Sequence, residues 1–262
     1  VLAHVQRESS AGELVWRLVA PEVNAQSDTM ALGKTLRTSP VEIARIEFQT
    51  PEVAHAEQWT LEVEFDGAIR NRWALWIYPK LPPVETPLYD PAGVLGDLRH
   101  LPAADLSRDE VVIAGAFTPE LEDYLRAGGR AVLVQPGAGA LPTQPVPFWR
   151  ESIKLLYDHQ VMNAMPHAGY ADLQFYHVAT DHAFDTAAFR DMVVAPVMRR
   201  LDARLFTTLD YMVDVRIGAG RMLATTLHLL GGAGDQAWGL EANVAGEYLL
   251  HQMIRALAVQ AD

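Results

Sequence analysis

The chain has 262 residues, of which half are hydrophobic and 21% charged, and its 33 Asp and Glu against 21 Lys and Arg give a formal net charge of -12 at pH 7. That excess repels phosphate backbones and anionic lipid head groups, so no nucleic acid and no membrane partner is expected. Without cysteine there is no disulfide, thiolate metal site or cysteine nucleophile.

The length exceeds the roughly 100 to 200 residues that one core commonly serves, so two domains are expected. The sequence opens at Val1 on a strand-like pattern and reads as part of a longer chain, which leaves its cellular location open. From Leu14 to Tyr78 apolar residues recur with a period near two. The runs are Leu14, Trp16 and Leu18; Trp59, Leu61, Val63 and Phe65; and Trp73, Leu75 and Ile77. Between Val41 and Phe48 the phase slips, as a bulged strand would require. This half is expected to form an antiparallel sandwich. Trp73 and Trp76 fall on opposite faces of their strand, so one is expected in the core and the other exposed or packed against a neighbour.

Prolines 79, 82, 83, 87 and 91 then restrict φ and remove backbone donors, as in a stiff connector or an edge loop of a continuous domain. Beyond it, Val111 to Ala114 and Ala131 to Val134 read as buried parallel strands. Thr118 caps, Pro119 opens and Gly128-Gly129 ends the helix between them. Tyr211, Val213, Val215 and Ile217 alternate up to Gly218-Ala219-Gly220, and Leu223, Thr225, Leu227 and Leu229 alternate after it, which predicts a hairpin. Gly246, Leu249, Leu250, Met253, Ile254 and Leu257 fall at helical spacing.

The string Asn71-Arg72-Trp73-Ala74-Leu75-Trp76-Ile77-Tyr78-Pro79 before a Pro-rich connector resembles a segment of glycoside hydrolase family 2-like proteins, where it closes an immunoglobulin-like module downstream of the catalytic barrel. The stretch from Val111 to Val134, with Tyr124 to Arg130 at its centre, resembles the class I glutamine amidotransferase-like modules of some glycosidases. The resemblance implies an all-β part followed by an α/β part: an immunoglobulin-like β-sandwich over 1–79, a Pro-rich linker over 80–93, and a flavodoxin-like, glutamine amidotransferase-like α/β domain over 94–262. It implies an accessory region of a glycosidase, partnered by an upstream catalytic domain, a carbohydrate, or a second copy of the chain.

No pair of carboxylates on strand ends suits a glycosidase. An amidotransferase needs a nucleophile at a strand-to-helix elbow, and Pro136-Gly137-Ala138-Gly139 supplies none; Ser107 and Ser152 lie outside any such context. The two glycines 137 and 139 alone make only a weak phosphate-binding pattern. The cluster from Pro166 to His177 is the richest in polar and aromatic residues. His167, Tyr170, Asp172 and Gln174 there combine an aromatic face with planar polar groups, as sugar binding requires. The alternative is an irregular loop in which His167 and Asp172 satisfy backbone groups. His177, Asp181, His182 and Asp185 carry metal-ligand chemistry, but their spacing matches no strong motif, and they are read as surface residues around a helix start at Asp185-Thr186. No cofactor, no metal and no catalytic residue is expected within the chain. A third reading makes the α/β half a degenerate amidotransferase-like hydrolase with His167 or His177 as base.

Overall fold

The computed structural model describes residues 2–3, 11–20, 24–33, 41–42, 44–150, 152–190, 192–232 and 238–259. The chain divides into two compact units, Val1–Lys80 and Leu81–Asp262. The described structure is mixed and mostly β, with antiparallel and parallel strands and few helices.

In the first unit, β1 (Leu2–Ala3) pairs with β4 (Val41–Glu42). A four-stranded antiparallel sheet has the order β3 (Asn24–Leu32), β2 (Gly12–Val19), β5 (Glu57–Phe65), β6 (Ile69–Ile77). The period-two pattern acts as expected: Leu14, Trp16, Leu18, Trp59, Val63 and Ile77 form the buried face. The opposite face is a charge ladder, in which Glu62 stands between Arg17 and Arg72, and Glu64 faces Arg70 across the strands. Arg70 and Arg72 pair with these glutamates at 2.9 and 3.3 Å. The β5–β6 turn holds Asp66 and Gly67 at φ 50° and 68°, the left-handed region that Asp tolerates and Gly prefers.

Of the bulged strand expected over Val41 to Phe48, Val41–Glu42 is formed and residues 44–50 run without regular structure. Their apolar side chains still matter, since Ala44, Ile46 and Phe48 pack on the buried face and the Phe48 ring lies 6.3 Å from that of Trp16. The alternation there reports burial rather than strand pairing. Trp73 is 41% exposed, although it shares the strand face of Leu75 and Ile77.

The second unit starts within the proline-rich stretch. β7 (Leu88–Tyr89) is an edge strand parallel to β8 (Val111–Ala114), so this part of the expected linker belongs to the sheet. β8 leads through α1 (Pro119–Arg126) to the parallel β9 (Arg130–Val134). Thr118 caps α1 through Oγ1, which accepts from Leu121 N, and Pro119 begins the first turn. After β9 come β10 (Thr143–Pro145), β11 (Ser152–Leu156), α2 (Gln160–Asn163), β12 (His182–Phe184), β13 (Val193–Asp202), β14 (Thr208–Ile217), β15 (Gly220–Thr225) and α3 (Val244–Ala258). The sheet order is β10-β12-β14-β15-β9-β8-β7, with β13 paired to β14 and β11.

β15, β9, β8 and β7 are parallel, and the remaining pairings are antiparallel. The parallel strands follow chain order across the sheet. Among the described residues they show no reversal of the kind that gives a flavodoxin-like sheet its ligand crevice at a switch point. The β14–β15 hairpin turns at Gly218, whose φ is 59° and whose missing Cβ leaves room for the Arg126 backbone. The strand after it stops at Thr225: Leu227 and Leu229 are buried but lie outside the ladder.

Alternation through β8 and β9 divides the core. Val112, Ala114, Ala131 and Leu133 pack with Leu121, Tyr124 and Leu125 of α1. Ile113, Val132 and Val134 point to the opposite face, on which α3 packs against β8, β9 and β15. Leu249, Leu250, Met253 and Leu257 of α3 are almost wholly buried, each contributing about 1.5–3 kcal/mol by removal from water.

Candidate functional site

The four residues expected to contact sugar lie on one loop, and three of them make local hydrogen bonds to its backbone. His167 Nδ1 accepts from Gly169 N at 2.9 Å, and Asp172 Oδ1 accepts from Gln174 N at 3.1 Å, opening the 3-10 turn Leu173–Val178. Gln174 is 4% exposed and donates through Nε2 to Pro166 O at 2.7 Å. Tyr170 is exposed and so is Tyr176, whose ring meets that of His177 edge-on at 5.4 Å.

Asp181 Oδ1 and His182 Nδ1 are 2.6 Å apart, and that contact holds the Asp181 carboxyl below its usual range. Among the described residues no three His, Asp or Glu side chains are grouped to hold a metal. Asp185 begins only the 3-10 turn Thr186–Ala188, and its carboxylate accepts from Gln144.

The exit of β9 is not an elbow into a helix. Gln135 is buried, donates through Nε2 to Leu141 O at 2.9 Å and accepts from Leu141 N at 3.2 Å. It thereby ties the loop around Gly137 and Gly139 closed before β10. Polar capacity at this turn is spent on shaping the chain.

Two carboxylates on β14 act similarly. Asp210 is fully buried and takes both Arg199 Nε (2.7 Å) and Nη2 (3.0 Å), with Thr186 Oγ1 at 2.8 Å. Asp214 accepts from Arg221 Nε and Nη2, and His159 Nε2 lies 3.4 Å away. Arg221 Nη1 and Gln160 Nε2 both donate to Ala256 O near the end of α3. Burial alone would raise the Asp214 pKa, but His159 and Arg221 overcome it and lower it to about 2.

A different cluster is not closed in this way. β11 and β13 pair so that Ser152 faces Asp202 and Lys154 faces Arg200. Lys154 and Arg200 are only 6% and 4% exposed, whereas Ile153, between Ser152 and Lys154, is 50% exposed. The strand is inverted relative to its own amphipathic pattern, with cations inward and an aliphatic side chain outward. Sequence reasoning weighed Ser152 only as a nucleophile and passed over Lys154 and Arg200, because Ser-Ile-Lys-Leu-Leu reads locally as the opposite orientation.

Register between β13 and β14 slips between Met198 and Arg199 and leaves Tyr211 with no paired residue on β13; bulges of this kind re-aim side chains. Tyr211 is fully buried beside Phe148, with ring centroids 4.8 Å apart. Lys154 Nζ lies 5.3 Å from the Phe148 ring centre and 5.0 Å from that of Trp149, and donates to Ser152 O at 3.2 Å. Arg200 Nη2 pairs with Asp202 Oδ2 at 2.8 Å. The N–H groups of Leu205 and Arg204, and then Arg200, hold the Asp202 carboxyl below its usual range. Ser152 Oγ, Arg200 Nε and Tyr211 Oη are buried without a hydrogen bond of good geometry in the protein. Burial and then the charge of Arg200 lower the Lys154 pKa, and burial raises that of Tyr211.

Comparison with known proteins adds three findings. No curated protein matches the chain. A crystal structure of the cold-adapted β-galactosidase from Rahnella sp. R3 is similar at 8% identity and a TM-score of 0.31, over 60% of this chain and 25% of that chain, so the chain spans about a quarter of that protein's length. Residues 1–79 match a family model described as a domain of unknown function (DUF8488).

Proposed function

We propose that the chain is a non-catalytic accessory region of a larger glycosidase of the family 2-like kind, with an immunoglobulin-like first unit and a second unit whose β8-α1-β9 segment, rather than its whole strand order, is glutamine amidotransferase-like. Its role is architectural: it packs against an upstream catalytic domain or a second copy. The observation that carries this reading is Gln135, whose buried amide closes the β9 exit loop on Leu141 where an amidotransferase would present its nucleophile. His167 and Asp172 are likewise engaged with backbone N–H groups. The test is turnover of a panel of p-nitrophenyl glycosides by the purified chain. Release at the buffer rate is expected, and turnover that persists through successive purification steps overturns the reading.

The exposure of Tyr170 and Tyr176 favours a second reading, in which the 166–177 loop contacts carbohydrate through aromatic faces. His167, Asp172 and Gln174 then shape the loop that presents the rings. Tyr170→Ala is expected to weaken glycan binding without changing the far-UV spectrum, and a glycan panel that binds wild type and variant equally removes this reading.

A further inference from the structure

We propose that the inward face of β11, β13 and β14 is a binding site for a small monocarboxylate, held by Lys154, Arg200, Ser152 and Tyr211, with the ring-shaped body of the ligand against Trp149. The accessory role does not require this site.

Charge comes first. Lys154 and Arg200 stand directly opposite one another on adjacent strands and are both nine-tenths buried or more, and the Asp202 carboxylate pairs with Arg200. One positive charge is in excess. Burying uncompensated charge is expensive, and a fold with no use for it would place a neutral side chain at an inward strand position. Lys154 instead displaces Ile153 to the solvent side, a local rule broken at a cost, as happens at functional sites.

Hydrogen bonding gives the ligand class. Arg200 Nε, Ser152 Oγ and Tyr211 Oη are buried without a hydrogen bond of good geometry in the protein, the Arg200 guanidinium standing beside the Tyr211 hydroxyl, and each can donate to an anion. A carboxylate has about four lone-pair positions and accepts from such a set, with Lys154 supplying the remaining charge-assisted contact. A monoanion neutralises the excess charge, whereas a phosphate dianion would leave a buried negative charge. Access and shape come from the aromatic side: Trp149 is 39% exposed and meets Phe148 edge-on at 4.7 Å, so one indole surface reaches solvent beside the buried Lys154. A sugar or aromatic ring attached to the carboxylate would cover that surface.

Isothermal titration of the full chain with D-glucuronate, benzoate, D-glucose and inorganic phosphate tests the proposal. One-to-one binding of glucuronate, benzoate or both is expected, with none of glucose; preference between the two acids tells a sugar acid from an aromatic acid. Lys154→Met keeps the buried stem and removes the charge, and should weaken binding by about tenfold or more. Ser152→Ala removes one hydroxyl, disturbs packing least, and should give a smaller loss in the same direction. Failure of both acids to bind, phosphate binding as tightly as either, or unchanged affinity in both folded variants overturns the assignment.

Discussion

Asp214→Asn isolates the ion pair that joins the β14–β15 hairpin to α3. The carboxylate receives Arg221 through two nitrogens and His159 through one, and Arg221 also holds Ala256 O. Its pKa falls from 3.8 to about 2, and one unit corresponds to about 1.4 kcal/mol, so ionised Asp214 contributes about 2 kcal/mol to the folded state. Because the folded pKa is depressed, the contribution is complete above the unfolded value of 3.8 and is lost as pH falls through about 2. About 1 kcal/mol of it is gone by roughly pH 3. Asparagine mimics the protonated acid, so the variant should be less stable by about 2 kcal/mol at neutral pH, with the gap narrowing in acid. Hydrogen exchange of the β14 and β15 amides in rising urea, at matched pH for both proteins, reads the stability of this unit alone. A gap absent at neutral pH, or constant down to about pH 3, refutes the reasoning.

Asn243→Asp retains the acceptor that caps α3 at Gly246 N but replaces an amide donating to His177 O, His228 O and Leu229 O. A buried carboxylate facing three carbonyls should cost about 3 kcal/mol or more, visible as a lower thermal midpoint. Gly246→Ala should also destabilise, although alanine favours helix by about 1 kcal/mol, because the added Cβ meets the Leu229 carbonyl oxygen; a raised midpoint would contradict the packing. Tyr124→Phe removes a hydroxyl that contacts Asp109 O and Glu110 O and accepts from Arg130 N. It should lower unfolding stability by about 1–3 kcal/mol in urea. Thr118→Ala removes the α1 cap and the Tyr89 contact at 2.8 Å, for a loss of about 1 kcal/mol on the same assay.

Signals that act within a few residues were legible in the amino-acid order. Thr118 and Pro119 start a helix because they serve its unsatisfied first turn, and Gly218 reverses a strand because its backbone reaches positive φ. The alternation of Leu14, Trp16 and Leu18 and the spacing of Leu249, Leu250, Met253 and Leu257 each identify a buried face from local periodicity. The same periodicity misled at Ala44 to Phe48, where apolar side chains reach the core without a ladder, and at Leu227 and Leu229, buried beyond the strand's end. Periodicity records which side chains leave water, and hydrogen-bond pairing is a separate matter.

Tertiary structure alone decided what stands beside what. Ser152 and Lys154 meet Asp202 and Arg200 only because β11 pairs with β13, and Tyr211 joins them only because β13 slips against β14. These contacts span about fifty residues of chain, and no short-range preference encodes them. Lys154 turns inward against the apparent pattern of its strand because the pairing of the whole sheet, rather than the five residues of β11, determines which face is covered.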